Sequence, residues 1–172
     1  MQPYEWLLQN FYQREIPGVG ENPWIKDLSQ ALGHTWVTSE DVPWCSEAVN
    51  VSLLKTGFLI TGSAAARSFL KWGEETKTPT MGDIAVFWRN PKGSNNGHVG
   101  FYINETPTHI RVLGGNQNNE VNISEYPKTQ LLSYRKVPKK VGTVTTILDK
   151  KMVIDYLAKA MGPLAELTKK LV

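Results

Sequence analysis

Cysteine is nearly absent from this chain. Among 172 residues there is one, Cys45, so no intramolecular disulfide or multi-cysteine metal site can form. Histidine is almost as scarce. His34, His98 and His109 are the only three, and no His/Asp/Glu cluster has metal-ligand spacing, so no metal or cofactor is expected. No run of about 18 apolar residues occurs, which excludes a membrane-spanning helix. The start, Met1-Gln2-Pro3-Tyr4-Glu5-Trp6, lacks a basic stretch followed by an apolar one, so no secretory signal peptide is expected. A substrate outside the cytoplasm would then need another factor for release. No Lys/Arg block precedes residue 135 and the net charge is only +3. Nucleic acid is therefore not an expected partner, although a mildly basic chain is drawn to anionic polymers or membrane surfaces.

Hydrophobic residues at 41% and charged residues at 20% are ordinary for a folded domain and argue against disorder. Six tryptophans are many for this length. Trp24, Trp36, Trp44, Trp72 and Trp88 stand in polar surroundings. They read either as packing or as an aromatic wall for a flat or sugar-like ligand, Trp44 and Trp88 being the candidates nearest the chemistry.

Helical spacing of Leu7, Leu8 and Phe11 predicts a helix from Tyr4 to about Tyr12. Asn22-Pro23 opens a second, with Ile25, Leu28 and Leu32 on one face and Gly33 at its end. A third runs from about Cys45 to Thr56, with Cys45, Ala48, Val49, Ser52 and Leu53 on one face and Gly57 as terminator. A shorter helix is expected from Ser63 to Trp72. After Pro79 the pattern turns to strands: 84–88, 99–103, 110–113, 121–123 and 132–137. Helices first and a strand meander afterwards predict an α+β fold, with the N-terminal helices on a central antiparallel sheet. Residues 1–138 are read as one domain and 139–172 as a linker and tail. In that tail Ile147, Ile154, Leu157, Met161, Leu164 and Leu171 recur at about 3.5-residue spacing among lysines. This predicts a basic amphipathic helix with a break at Gly162-Pro163.

A cysteine nucleophile needs its thiolate, which a helix N-terminus and a nearby cation favour. Cys45 is expected in the first turn of its helix. A lone cysteine is otherwise a small buried hydrophobe. The base must be a histidine. His34 and His109 read as ordinary surface or edge residues, whereas His98 stands between Gly97 and Val99-Gly100 with room to approach another group. Pairing 104 with 109 in a hairpin sets 98 opposite 115, and a bulge there would bring Asn116 to the imidazole. Asn116 reads equally well as a turn residue.

Several segments resemble a known group. They are Glu15-Ile16-Pro17-Gly18 with Asn22-Pro23; Pro43-Trp44-Cys45; Gly62-Ser63-Ala64 with Ala66-Arg67-Ser68; Gly82-Asp83-Ile84; Gly97-His98-Val99-Gly100-Phe101-Tyr102; Leu113-Gly114-Gly115-Asn116-Gln117; and Tyr126-Pro127-Lys128. In this order they resemble the papain-like cysteine amidases of bacterial cell walls, the NlpC/P60 and CHAP group, and within it small endolysin-like proteins of phages. The resemblance covers about residues 4 to 138. It implies a papain-like fold and hydrolysis of an amide in the peptide stem of peptidoglycan. It further implies Cys45 as nucleophile, His98 as base and then acid, and Asn116 as the polar third member. Asp83 reads as a structural turn residue, and Gln117 either as structural or as lining the site. The expected partner is bacterial peptidoglycan, with an anionic membrane or lipopolysaccharide for residues 143–172. The site of action would be the cell wall. Two other functions fit the same residues: a secreted antibacterial amidase toxin, and an inactive wall-binding or virion-associated module.

Overall fold

A computed structural model describes residues 1–18, 20–37, 39, 42–89 and 91–138. The expected amphipathic helix of the tail lies outside the described residues. Among the described residues three α-helices come first: α1 (Pro3–Gln9), α2 (Pro23–Ala31) and α3 (Cys45–Lys55). Six strands follow: β1 (Glu74–Thr76), β2 (Ile84–Trp88), β3 (Gly97–Glu105), β4 (His109–Gln117), β5 (Glu120–Pro127) and β6 (Leu131–Lys136). They form one antiparallel sheet in the order β1-β6-β2-β3-β4-β5. The fold is α+β.

α1 and α2 begin where their sequences supply an N-terminal partner. The Glu5 carboxylate accepts the Gln2 amide at 2.7 Å, and Asn22 Oδ1 accepts the Trp24 amide at 2.9 Å ahead of Pro23. α1 stops at Gln9, short of the expected Tyr12, which has φ +71°. The chain then runs beside β5. Tyr12 N–H donates to Val121 O, and Val121 N–H to Gln13 O, so this segment covers the outer edge of the sheet.

α3 is buried on all sides from Cys45 to Leu53, not only along the expected apolar face. It packs on β3 and β4 and touches α1 and α2. Its buried polar groups are all satisfied. Ser46 Oγ donates to Ser63 O, and Asn50 bridges Thr61 and Ser63. Glu47 accepts Ser29 Oγ at 2.6 Å and faces His34 Nδ1 at 2.9 Å. His34 Nε2 meets Gly62 O at 3.2 Å. His34 is therefore a clamp between α3 and the loop after it, not an ordinary surface residue.

The same network explains why no α-helix starts at Ser63. Its carbonyl is committed to α3 and its hydroxyl accepts the Ala65 amide, so only a short 3₁₀ turn, Ala66–Lys71, follows. Gly115 sets how closely α3 approaches the sheet. A Cβ there would collide with the Trp44 ring and lie 2.7 Å from Ala48 Cβ. Asp83 fastens the sheet, as its reading as a turn residue implies. Its carboxylate accepts the amides of Thr80 and Val137, joining the start of β2 to the end of β6.

Candidate active site

Cys45 is the first residue of α3, after Trp44 as N-cap. The amides of Val99, Ser46 and Cys45 itself point at its sulfur. Val99 is the neighbour of His98, so this contact joins the helix terminus to the strand that carries His98. Only 2% of Cys45 is exposed. Burial pushes its pKa up, while the Arg89 cation and the three amides act in the opposite direction.

His98 is fully buried on β3, directly across from Phe87. Tyr126 stacks on its ring with centroids 4.8 Å apart, and Phe87 stacks on Tyr126 at the same distance. Its Nε2 lies 2.9 Å from Gln117 Oε1. The orientation of that amide follows from its own donors: Gln117 Nε2 gives its hydrogens to Asn122 O at 2.6 Å and Asn122 Oδ1 at 3.0 Å. Oε1 is then the atom turned to the imidazole, so His98 Nε2 carries the hydrogen and Nδ1 the lone pair. At Nδ1 stands Arg89, whose Nη2 is 3.1 Å away. Arg89 also donates to the Tyr126 hydroxyl. Burial, and next the Arg89 charge, lower the His98 pKa to about 3, against the raising effect of Gln117. The centre rests with a neutral thiol, a neutral imidazole and the charge on Arg89.

The third position departs from expectation. Gln117, rather than Asn116, meets the imidazole. The β4–β5 ladder is irregular between Gly114 and Gln117, and Asn116 takes φ +53°. This left-handed residue breaks the alternation of side chains, so Gln117 turns to the face that Asn116 would otherwise occupy. The hairpin register moves as well. Asn104 pairs with Arg111 rather than residue 109, and a shift at the bulge beside Ile103 brings Leu113 opposite Phe101.

Neither tryptophan forms an open wall. Trp44 is 1% exposed, donates from Nε1 to Glu15 Oε1 at 2.9 Å and meets Trp24 edge-on. It braces the helix start from within the core. Trp88 follows Phe87 on β2 and so faces away from His98, with Nε1 donating to Thr129 O.

Arg89 and Tyr126 were not singled out from the sequence. The available signals were a lone cation ending an apolar strand, and a tyrosine inside a segment already matched. Beyond Gln117, a cleft of ≈ 870 Å³ is lined in part by Glu15, Ile16, Asn118, Asn119 and Glu120. Among the described residues no group of three or more His, Cys, Asp or Glu side chains is placed to hold a metal, and no helix is long and apolar enough to cross a membrane. Comparison with protein-family models and with curated proteins matched none of them.

Proposed function

We propose that the chain is a cysteine hydrolase that cleaves an amide bond in the peptide stem of peptidoglycan. The observation that carries this reading is the pairing of a sole cysteine at a helix N-terminus with a buried imidazole. Gln117 fixes the tautomer of that imidazole, and Val99 links the two groups. A structural thiol has no need of an oriented histidine beside it. The helices on an antiparallel sheet, with the nucleophile opening the central helix, are in keeping with the papain-like fold of the cell-wall amidases that the segments resemble.

The chemistry then uses the thiol at the helix start and the lone pair of His98. The Cys45 thiol gives its proton to Nδ1 of His98, and the sulfur lone pair forms a bond to the amide carbon. The carbonyl electrons move to oxygen, to which the first-turn N–H groups of Cys45 and Ser46 can donate hydrogen bonds. Nδ1–H then protonates the amide nitrogen as the C–N bond breaks. Water attacks the thioester, losing its proton to Nδ1, and the thiol returns. Throughout, Gln117 Oε1 holds Nε2–H and the ring orientation.

Residues 143–172 are proposed to contact an anionic bilayer or lipopolysaccharide through the apolar stripe and its lysines. The test of the whole reading is digestion of purified peptidoglycan with mass spectrometry of the soluble fragments. New amine and carboxylate termini on stem peptides are expected from the wild type and none from Cys45→Ala. Equal release by Cys45→Ala refutes it.

A further inference from the structure

Arg89 has a position that the hydrolase chemistry leaves unused. Its Nη2 occupies the only lone pair of the base. While it stays there, Nδ1 cannot accept the Cys45 proton. Exposure adds a second point. Cys45 is 2% exposed and His98 fully buried, whereas Arg89 and Tyr126, both touching the imidazole, are partly exposed. A substrate must reach these buried groups, and Arg89 and Tyr126 are the partly exposed side chains that touch the imidazole. Charge adds a third. A guanidinium is permanently cationic, and among the described residues no carboxylate pairs with Arg89. Its partners are a neutral imidazole and a phenol. The planar fork matches a carboxylate, to which it bonds more strongly than to either.

We propose that Arg89 is both the cap of this site and its carboxylate receptor: it turns to a carboxylate carried by the substrate beside the scissile amide, and in turning frees Nδ1 of His98. This deepens the cysteine-hydrolase reading and rests on it. The substrate class becomes an acidic amide, a stem peptide whose neighbouring carboxyl is free rather than amidated. A ligand without that carboxylate leaves the base capped, so selectivity and activation share one side chain.

The test uses the sole thiol and needs no peptidoglycan. Iodoacetate and iodoacetamide alkylate Cys45 by the same step: sulfur displaces iodide, and the thiol proton goes to His98 or water. They differ in carrying a carboxylate or an amide. Rates are read by mass on the whole chain, with N-acetylcysteine as the uncapped reference. Relative to that reference, the wild type is expected to favour iodoacetate by about tenfold, the ratio that one charge-assisted pair of about 1.4 kcal/mol supplies. Arg89→Gln brings the ratio to the reference and Arg89→Lys keeps part of it. In the wild type, acetate but not acetamide slows the reaction with iodoacetate, which tests the idea without any variant. The proposal is overturned if the wild-type ratio equals the reference, if folded Arg89→Gln retains the preference, or if neither reagent reaches the thiol. Failure to cut peptidoglycan with the preference intact would remove the stem-peptide reading and leave the receptor.

Discussion

Acid should destabilise this protein through one buried ring, by an amount that can be worked out in advance. His98 has its pKa lowered from 6.5 to about 3 by burial and by Arg89. An unfolded chain takes up that proton near pH 6.5 and the folded one does not until about pH 3. Between those values the unfolded state binds more protons, so stability rises with pH and falls on acidification. The stabilisation is fully present above pH 6.5 and lost progressively down to about 3. One pH unit in the middle of the window is worth about 1.4 kcal/mol. From pH 7 to pH 4.5 the loss comes to about 2.5 kcal/mol. Against the raising effect of burial, Lys128 and Tyr134 hold the Glu105 carboxyl below its usual range, which adds an acid-side slope common to the wild type and His98→Gln, so it cancels in their difference. The assay is urea unfolding of the wild type and His98→Gln at half-unit steps of pH. His98→Gln shifts the whole curve but should lack this slope. Arg89→Gln should keep the slope in a narrower window, because removing the cation lets the His98 pKa rise. Parallel wild-type and His98→Gln curves between pH 7 and 4.5 refute the buried neutral imidazole.

Three more outcomes are expected. Gln117→Leu should lower kcat on the order of a hundredfold or more, because Nε2–H loses its acceptor and the tautomer is no longer fixed, while Asn116→Gly should cost far less; steady-state kinetics on stem peptides separates the two, and the reverse order refutes the assignment. His34→Ala strips a buried carboxylate of a partner, and denaturant unfolding should show a loss of about 3 kcal/mol, largely relieved when Glu47→Gln is added; no relief in the double variant excludes the clamp. Truncation after Pro138 should leave cleavage of purified peptidoglycan unchanged while abolishing sedimentation with anionic vesicles, and equal sedimentation of the truncated chain argues against membrane contact by the tail.

Periodic apolar runs made α2, α3 and β2 to β6 readable from the residues alone, because burial imposes those periods. β1 escaped notice because Glu74-Glu75-Thr76 has no apolar face. It exists only because β6 offers it an edge to pair with. The helix expected at 63–72 shrank to a 3₁₀ turn because α3 had claimed the Ser63 carbonyl, a contact between segments that no local pattern encodes. At the site, Cys45 and His98 were visible through their local settings, the helix start and the flanking glycines. The choice between Asn116 and Gln117 hinged on one backbone angle. A single left-handed residue reverses which side chain faces His98, and Asn tolerates that angle too well to announce it. Arg89 becomes meaningful only across strands. Phe87 is paired with His98, and two residues on, the Arg89 side chain reaches the ring.

The strand order has a consequence for how the chain reaches this state. β3, β4 and β5 are joined by tight turns and form a meander from neighbours in sequence. β1 and β6 pair residues on the order of 60 positions apart, so their loop-closure entropy must be met before any contact compensates it. β2 joins this run of neighbours through the hairpin to β3, so Arg89 reaches His98 across nine residues while Gln117 reaches it across nineteen. By loop closure, then, the cation is expected at the imidazole no later than the orienting amide. Under the proposed hydrolase reading, a nascent chain would carry its imidazole already capped as soon as it is assembled. In hydrogen exchange the order should appear in reverse: amides of β1 and β6 should open at lower free energy than those of β3 to β5, leaving the meander as the last structure to melt.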